Sequence, residues 1–145
     1  MKIFTIGFTR KSAREFFGLI RDSQARRLVD VRLHNVSQLA GFAKKDDLAW
    51  FAREICGIDY VHLPELAPTE EILEAYRKNK RDWKTFEARF LALMKARKIE
   101  ETVPKKVLAE GCLVCSEDKP EHCHRRFVAE YLQAHWGNVE IIHLG

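Results

Sequence analysis

Short apolar runs along this chain alternate with longer stretches in which apolar residues recur every three or four positions, a pattern that predicts strands and helices in turn. Lys2 to Ile6 is a short apolar run ending at Gly7, and Ser12 with Glu15 gives capping-box spacing ahead of Phe16, Phe17, Leu19 and Ile20. This reads as strand, loop and helix. Leu28 to Val31, interrupted by Asp30 and followed by Arg32, predicts a second strand. From Leu33 to Lys45 no period survives, and Asn35, Ser37, Gly41 and the lysines predict a loop of a length that often carries function. Asp46 or Asp47 then caps a helix with the face Leu48, Phe51, Ala52 and Ile55, stopped by Gly57. Ile58 to Leu63 predicts a third strand, ended by Pro64.

Thr69 precedes the helical spacing Ile72, Leu73, Tyr76, and Asp82 precedes Trp83, Phe86, Phe90, Leu93, Met94 and Arg97, so two amphipathic helices are expected. A short helical turn runs from Pro104 toward Ala109, with Gly111 as its stop. Cys112 to Cys115 predicts a fourth strand, Phe127, Val128, Tyr131, Leu132 and His135 a helix, and Val139 to Ile142 a fifth strand. Strand and helix alternate throughout. The expected architecture is a single α/β domain over residues 1–145, with a mostly parallel sheet of about five strands, right-handed crossovers and helices on both faces, in a Rossmann-like three-layer arrangement.

Composition narrows the class. A chain of 145 residues with 46% hydrophobic residues can bury a continuous core without disulfides. Lysine plus arginine is 25 against 21 acidic residues, a net charge of +4, which permits anionic ligands but lacks the dense basic stripe of a dedicated duplex binder. The pairs Arg26-Arg27, Lys44-Lys45, Lys105-Lys106 and Arg125-Arg126 are spread out and read mainly as solvated surface. The absence of a secretion signal or an 18-residue apolar stretch, together with four unevenly spaced cysteines, leads to the expectation of a cytoplasmic protein with reduced thiols and no membrane partner.

In open parallel sheets, ligands bind beyond the carboxyl ends of the strands, where loops converge and helix N-termini present free amides. That rule selects Gly7 and Thr9 after strand one, Asp30, Arg32, Ser37 and Lys44 after strand two, and His62, Pro64 and Glu65 after strand three. After strand four come Cys115, Ser116, Glu117, Cys123, His124 and Arg125, the densest part of the set. Cys123 is expected at the start of the last helix, where the dipole favours an anion and a thiol can ionise. Asp30 and Arg32, two apart at a strand end, are expected to pair or to face a ligand. The candidate catalytic residues are therefore Glu117, Cys123 and Asp30. The candidate ligand-binding residues are Gly7, Arg32, Ser37, Lys44, His62, Cys115, His124 and Arg125.

Two familiar chemistries fit poorly. Cys112, Cys115, Cys123 and His124 count as four zinc ligands, but the pattern lacks a second paired spacing, and on a strand residues 112 and 115 face opposite ways. No metal or other cofactor is expected. The string His122-Cys123-His124-Arg125-Arg126 is reminiscent of a cysteine phosphatase, yet the loop glycines and the five-residue gap from cysteine to arginine are missing.

Several segments together resemble the uncharacterised bacterial and archaeal family DUF488: Thr5-Ile6-Gly7, Val29-Asp30-Val31-Arg32, Gly41-Phe42 with Lys44, and Tyr60 through Leu66. Cys115-Ser116-Glu117, Cys123-His124-Arg125 and His143-Leu144 complete the match. Val36 stands where the family often has a proline before the serine at 37. The resemblance implies a compact α/β fold and a shared polar cluster, and it carries no reaction. The leading expectation is an enzyme or enzyme-like domain that binds a small anionic or nucleotide-like ligand in a cleft at the strand ends. The alternatives are a nucleic-acid binding or processing module using Arg10, Lys11, Lys44 and Lys45, and a protein-interaction domain whose polar cluster braces loops.

Overall fold

A computed structural model describes residues 1–36 and 40–145. Five strands form one sheet: β1 (Lys2–Gly7), β2 (Arg27–Asp30), β3 (Asp59–His62), β4 (Gly111–Cys115) and β5 (Glu140–His143). All pairings are parallel, in the order β3-β2-β4-β1-β5. The register sets Gly7 beside Cys115 and Asp30 beside Val114, so the candidate residues gather at one end of the sheet.

Alternation of side chains along each strand feeds two cores. Phe4, Ile6, Leu28, Cys112 and Val114 face α1 (Ala13–Ser23) and α2 (Lys45–Phe51). Ile3, Val29, Leu113 and Cys115 face α4 (Trp83–Arg97) and α7 (His124–Trp136), with α3 (Glu70–Lys78) packed outside them. Two short helices, α5 (Ile99–Thr102) and α6 (Lys105–Leu108), lead back to β4.

The chain leaves β1 through α1 on one face and leaves the adjacent β4 through α7 on the other. Neighbouring strands whose connections part to opposite faces open a crevice at their carboxyl ends. Amide pairing continues slightly past the strands, from Phe8 N to Cys115 O (3.3 Å) and from Thr9 N to Ser116 O (3.0 Å). This fixes the floor of the crevice.

Ser12, Thr69 and Asp82 cap their helices as the spacing predicts, accepting from the amides of Glu15, Ile72 and Thr85. The start of α2 differs: Lys44 takes the cap position without a side-chain bond, and Asp46 and Asp47 lie in the first turn. The amide of Lys45 is bonded to Asn35 O (2.8 Å), which ties the helix start to the preceding loop. After Phe51 the helix widens into a π turn over Ala52–Cys56, leaving Ile55 exposed rather than on the packed face.

The expected stop at Gly111 lies one residue earlier. Glu110 adopts the left-handed conformation (φ 55°), bonded in both directions to Lys2, while Gly111 opens β4. There a Cβ would lie 3.1 Å from Leu108 O and 3.2 Å from Val29 Cγ2, so the glycine serves close packing.

Gly7 is the tighter case. A Cβ at this position would fall 1.6 Å from Glu117 O, because the loop after β4 folds directly over the end of β1. Gly7→Ala is therefore expected to displace that loop and to cost about 3 kcal/mol, the upper range for overpacking. Urea unfolding measures the loss. Gly18→Ala, with nothing within 4 Å of its added Cβ, is the matched control.

Candidate functional site

A cleft of about 360 Å³ sits at the carboxyl end of the sheet. Its floor is Phe8 and Thr9 after β1, Arg32 after β2, and Cys115, Ser116 and Glu117 after β4; Cys123 and His124 enter from the start of α7. Tyr76, Trp83 and Phe86 from α3 and α4 form an aromatic wall, and Arg77 and Arg81 stand at its rim.

Arg32 is anchored by its neighbours. Its Nε and Nη2 donate to Asp30 Oδ1 and Oδ2, both at 2.8 Å, and Nη2 also donates to Ala43 O at 2.8 Å. Tyr60 OH donates to Asp30 Oδ2 (2.6 Å), and His62 Nε2 donates to Arg32 O (2.7 Å). Burial and the bond to Asp30 push the Tyr60 hydroxyl well up. Burial acts to lower the Arg32 pKa, but the bonds and charge of Asp30 outweigh it, and the net shift is upward. The remaining guanidinium nitrogen, Nη1, is buried and has no partner among the described residues. A buried charged donor left unpaired is costly.

Two thiols and an imidazole meet beside it. Cys115 Sγ, Cys123 Sγ and a ring nitrogen of His124 lie within 4.8 Å of one another, all buried. His124 Nε2 is 2.6 Å from Val31 O, which accepts only, so Nε2 carries a proton. Its Nδ1 then faces Cys115 Sγ at 3.6 Å. The hydrogen bond from Cys123 lowers the Cys115 pKa against the penalty of burial, helped by the Arg125 charge and the Ser116 amide. Cys123 moves the opposite way, raised by burial and by the proton it shares with Cys115.

The expectation of an ionised Cys123 is therefore corrected. Its helix-start position holds, since it takes the cap position of α7, but desolvation and the neighbouring sulfur raise its pKa, while that of Cys115 is lowered. The three side chains are spaced to hold a soft metal ion. Cys112, the remaining sulfur of the spacing, packs in the opposite core, so it cannot close a four-ligand site.

Arg125 is wholly buried beneath the cleft. It donates from Nε to Thr5 Oγ1 and from Nη1 and Nη2 to the carbonyls of Glu117 and Asp118. It thereby clamps the loop that crosses Gly7.

Of the candidate residues, Arg32, Cys115, Glu117, Cys123 and His124 line the cleft. Asp30 and Arg125 lie beneath it: Asp30 is 0% exposed with both oxygens engaged, so it supports Arg32 and is out of reach of a ligand in the cleft. Gly7 supplies the crossing point, His62 braces the backbone of Arg32, and Lys44 is exposed at the start of α2, outside the lining. Ser37 lies outside the described residues. Lys11, one of the cations behind the nucleic-acid alternative, is engaged with Asp118 at 2.6 Å.

The aromatic wall and the rim escape a reading based on periodicity, because Tyr76, Trp83 and Phe86 have the spacing of ordinary helix core. The available signal was the run Arg77, Lys78, Lys80, Arg81 and Lys84, a concentration of cations at the junction of two helices.

No curated protein and no solved structure matches the chain. A family model does match, over residues 12–132, spanning everything from the cap of α1 to the middle of α7 and including every cleft-lining residue except Phe8 and Thr9. The chain therefore belongs to the family described as domain of unknown function DUF488.

Proposed function

We propose that the protein is an enzyme or enzyme-like domain that binds a small anionic ligand in this cleft and meets it with the Cys115 thiolate. The observation that carries this reading is the unpartnered, buried Nη1 of Arg32 on the same floor as Cys115. A ligand oxygen would satisfy the guanidinium. Arg77 and Arg81 would attract the anion from the rim, and Tyr76 and Trp83 give a planar group, such as a nucleobase, a surface to lie on.

Each side chain has a definite part. Cys115 is the nucleophile, and Nδ1 of His124, left unprotonated in the neutral ring, takes up a thiol proton. The Glu117 carboxylate is the nearby acid or base, and Asp30 keeps Arg32 in place without touching the ligand.

Competing alkylating reagents test the reading. Iodoacetate should modify Cys115 faster than neutral iodoacetamide does. In the exposed-rim variant Arg77→Ala/Arg81→Ala this preference should fall by about tenfold, the low end of electrostatic focusing. Peptide mapping assigns the site. A preference for iodoacetamide, unchanged in the rim variant, contradicts anion binding at this cysteine.

The rim run also gives a nucleic-acid reading its specific support, because cations beside aromatic side chains suit a single strand. Its mark is oligonucleotide binding that weakens steeply with salt; the absence of binding at low salt removes it.

A further inference from the structure

We propose that Cys115 and Cys123 work as a dithiol/disulfide couple, and that the cleft reduces small anionic disulfides. This rests on the reading of Cys115 as a nucleophile and adds the substrate class and the second thiol. The two buried sulfurs lie within 4.8 Å and both residues line one cleft, while the two other free cysteines lie elsewhere. Cys112 is sealed in the opposite core and Cys56 is half-buried by α1, so neither reaches the pair.

The supporting frame suits an exchange. Cys115 is fixed at the end of a fully buried strand, whereas Cys123 ends a loop with a single turn at Pro120–His122. Closing the sulfur–sulfur gap therefore needs movement on the loop side alone. The nearest base, His124, is already oriented by Val31. The cations at the rim and floor favour a disulfide carrying carboxylates over one carrying amines.

In the first step the Cys115 thiolate attacks one sulfur of the substrate disulfide. The substrate S–S bond breaks, one half leaves as a thiolate, and a Cys115 mixed disulfide forms. His124 then takes the proton of Cys123, whose sulfur attacks Cys115 Sγ and expels the second half. Two electrons pass from the cysteine pair to the substrate, leaving two substrate thiols and a Cys115–Cys123 disulfide. An external dithiol reductant restores the pair.

Oxidised glutathione serves as the anionic probe and cystamine as the cationic one, with products mapped by mass spectrometry after acid quenching. The wild-type protein should end as the Cys115–Cys123 disulfide with both probe halves released. Cys123→Ser and Cys123→Ala, each checked for native circular dichroism, should stop at glutathione on Cys115. Cystamine should react more slowly by at least about tenfold. Wild type stopping at the mixed disulfide, like the Cys123 variants, overturns the couple while leaving Cys115 as nucleophile. Equal rates for the two probes overturn the anionic substrate class, and modification confined to Cys56 overturns the nucleophile reading as well.

Discussion

Asp30→Ala is expected to destabilise the protein by about 3–5 kcal/mol, because it leaves the Arg32 guanidinium buried without its counter-charge. The loss is large since Asp30 accepts from the amide, Nε and Nη2 of Arg32 and from Tyr60. The ends of β2 and β3 lose a common anchor, because the Asp30 carboxylate holds both the Arg32 amide and the Tyr60 hydroxyl. Adding Arg32→Met should recover most of the stability, as apolar replacement of both partners removes the orphaned charge. It should not recover iodoacetate preference at Cys115, which needs the guanidinium. The Tyr60 hydroxyl should titrate lower in Asp30→Ala, because the bond that pushes it up is gone. Urea denaturation and ultraviolet titration measure the two effects.

Arg125→Met is expected to cost about 2–4 kcal/mol, on the basis of about 1–2 kcal/mol for each of two carbonyls left without a donor. Those carbonyls belong to Glu117 and Asp118, in the loop that crosses Gly7. Methionine keeps much of the volume, so the loss reports hydrogen bonds rather than a void. The consequence at the site is larger than the stability change suggests. The Arg125 charge helps to lower the Cys115 pKa, and the loop it clamps leads to Cys123, so Cys115 alkylation near neutral pH should slow markedly. Arg125→Lys keeps the charge but loses the planar fork; it should restore the alkylation more than the stability.

Much of the framework could be read from periodicity and caps. Five strands and the helices at Ser12, Thr69 and Asp82 follow from local spacing, and the parallel sheet follows from their alternation; the strand order does not. The pairing of Asp30 with Arg32 was also legible, because both lie two apart at a strand end. What periodicity cannot supply is depth. Asp30 and Arg125 carry the same charges as cleft residues, yet both are wholly buried, Asp30 beneath Arg32 and Tyr60 and Arg125 beneath the loop after β4.

The division of labour between the two cysteines was hidden for a related reason. A helix start favours a thiolate at Cys123 when that group is considered alone, but the sulfur of Cys115 lies across the loop and accepts a hydrogen bond from the Cys123 thiol, which pushes the Cys123 pKa up. Such coupling is set by tertiary distance. The aromatic wall follows the same logic: Trp83 and Phe86 stack as core residues do, and their outer surfaces line the cleft.

The proposed function requires a thiolate on Cys115 at the floor of the cleft, and the pH profile of its alkylation tests this most directly. A lowered thiol pKa keeps the thiolate populated below the ordinary thiol range and loses it as pH falls through the lowered value. The Cys115 rate in the folded protein should therefore reach half its plateau below about 8.5, the ordinary thiol value, with Cys112 and Cys123 unmodified over the same range. A midpoint at or above about 8.5, or a reaction that begins at Cys123, would contradict the account.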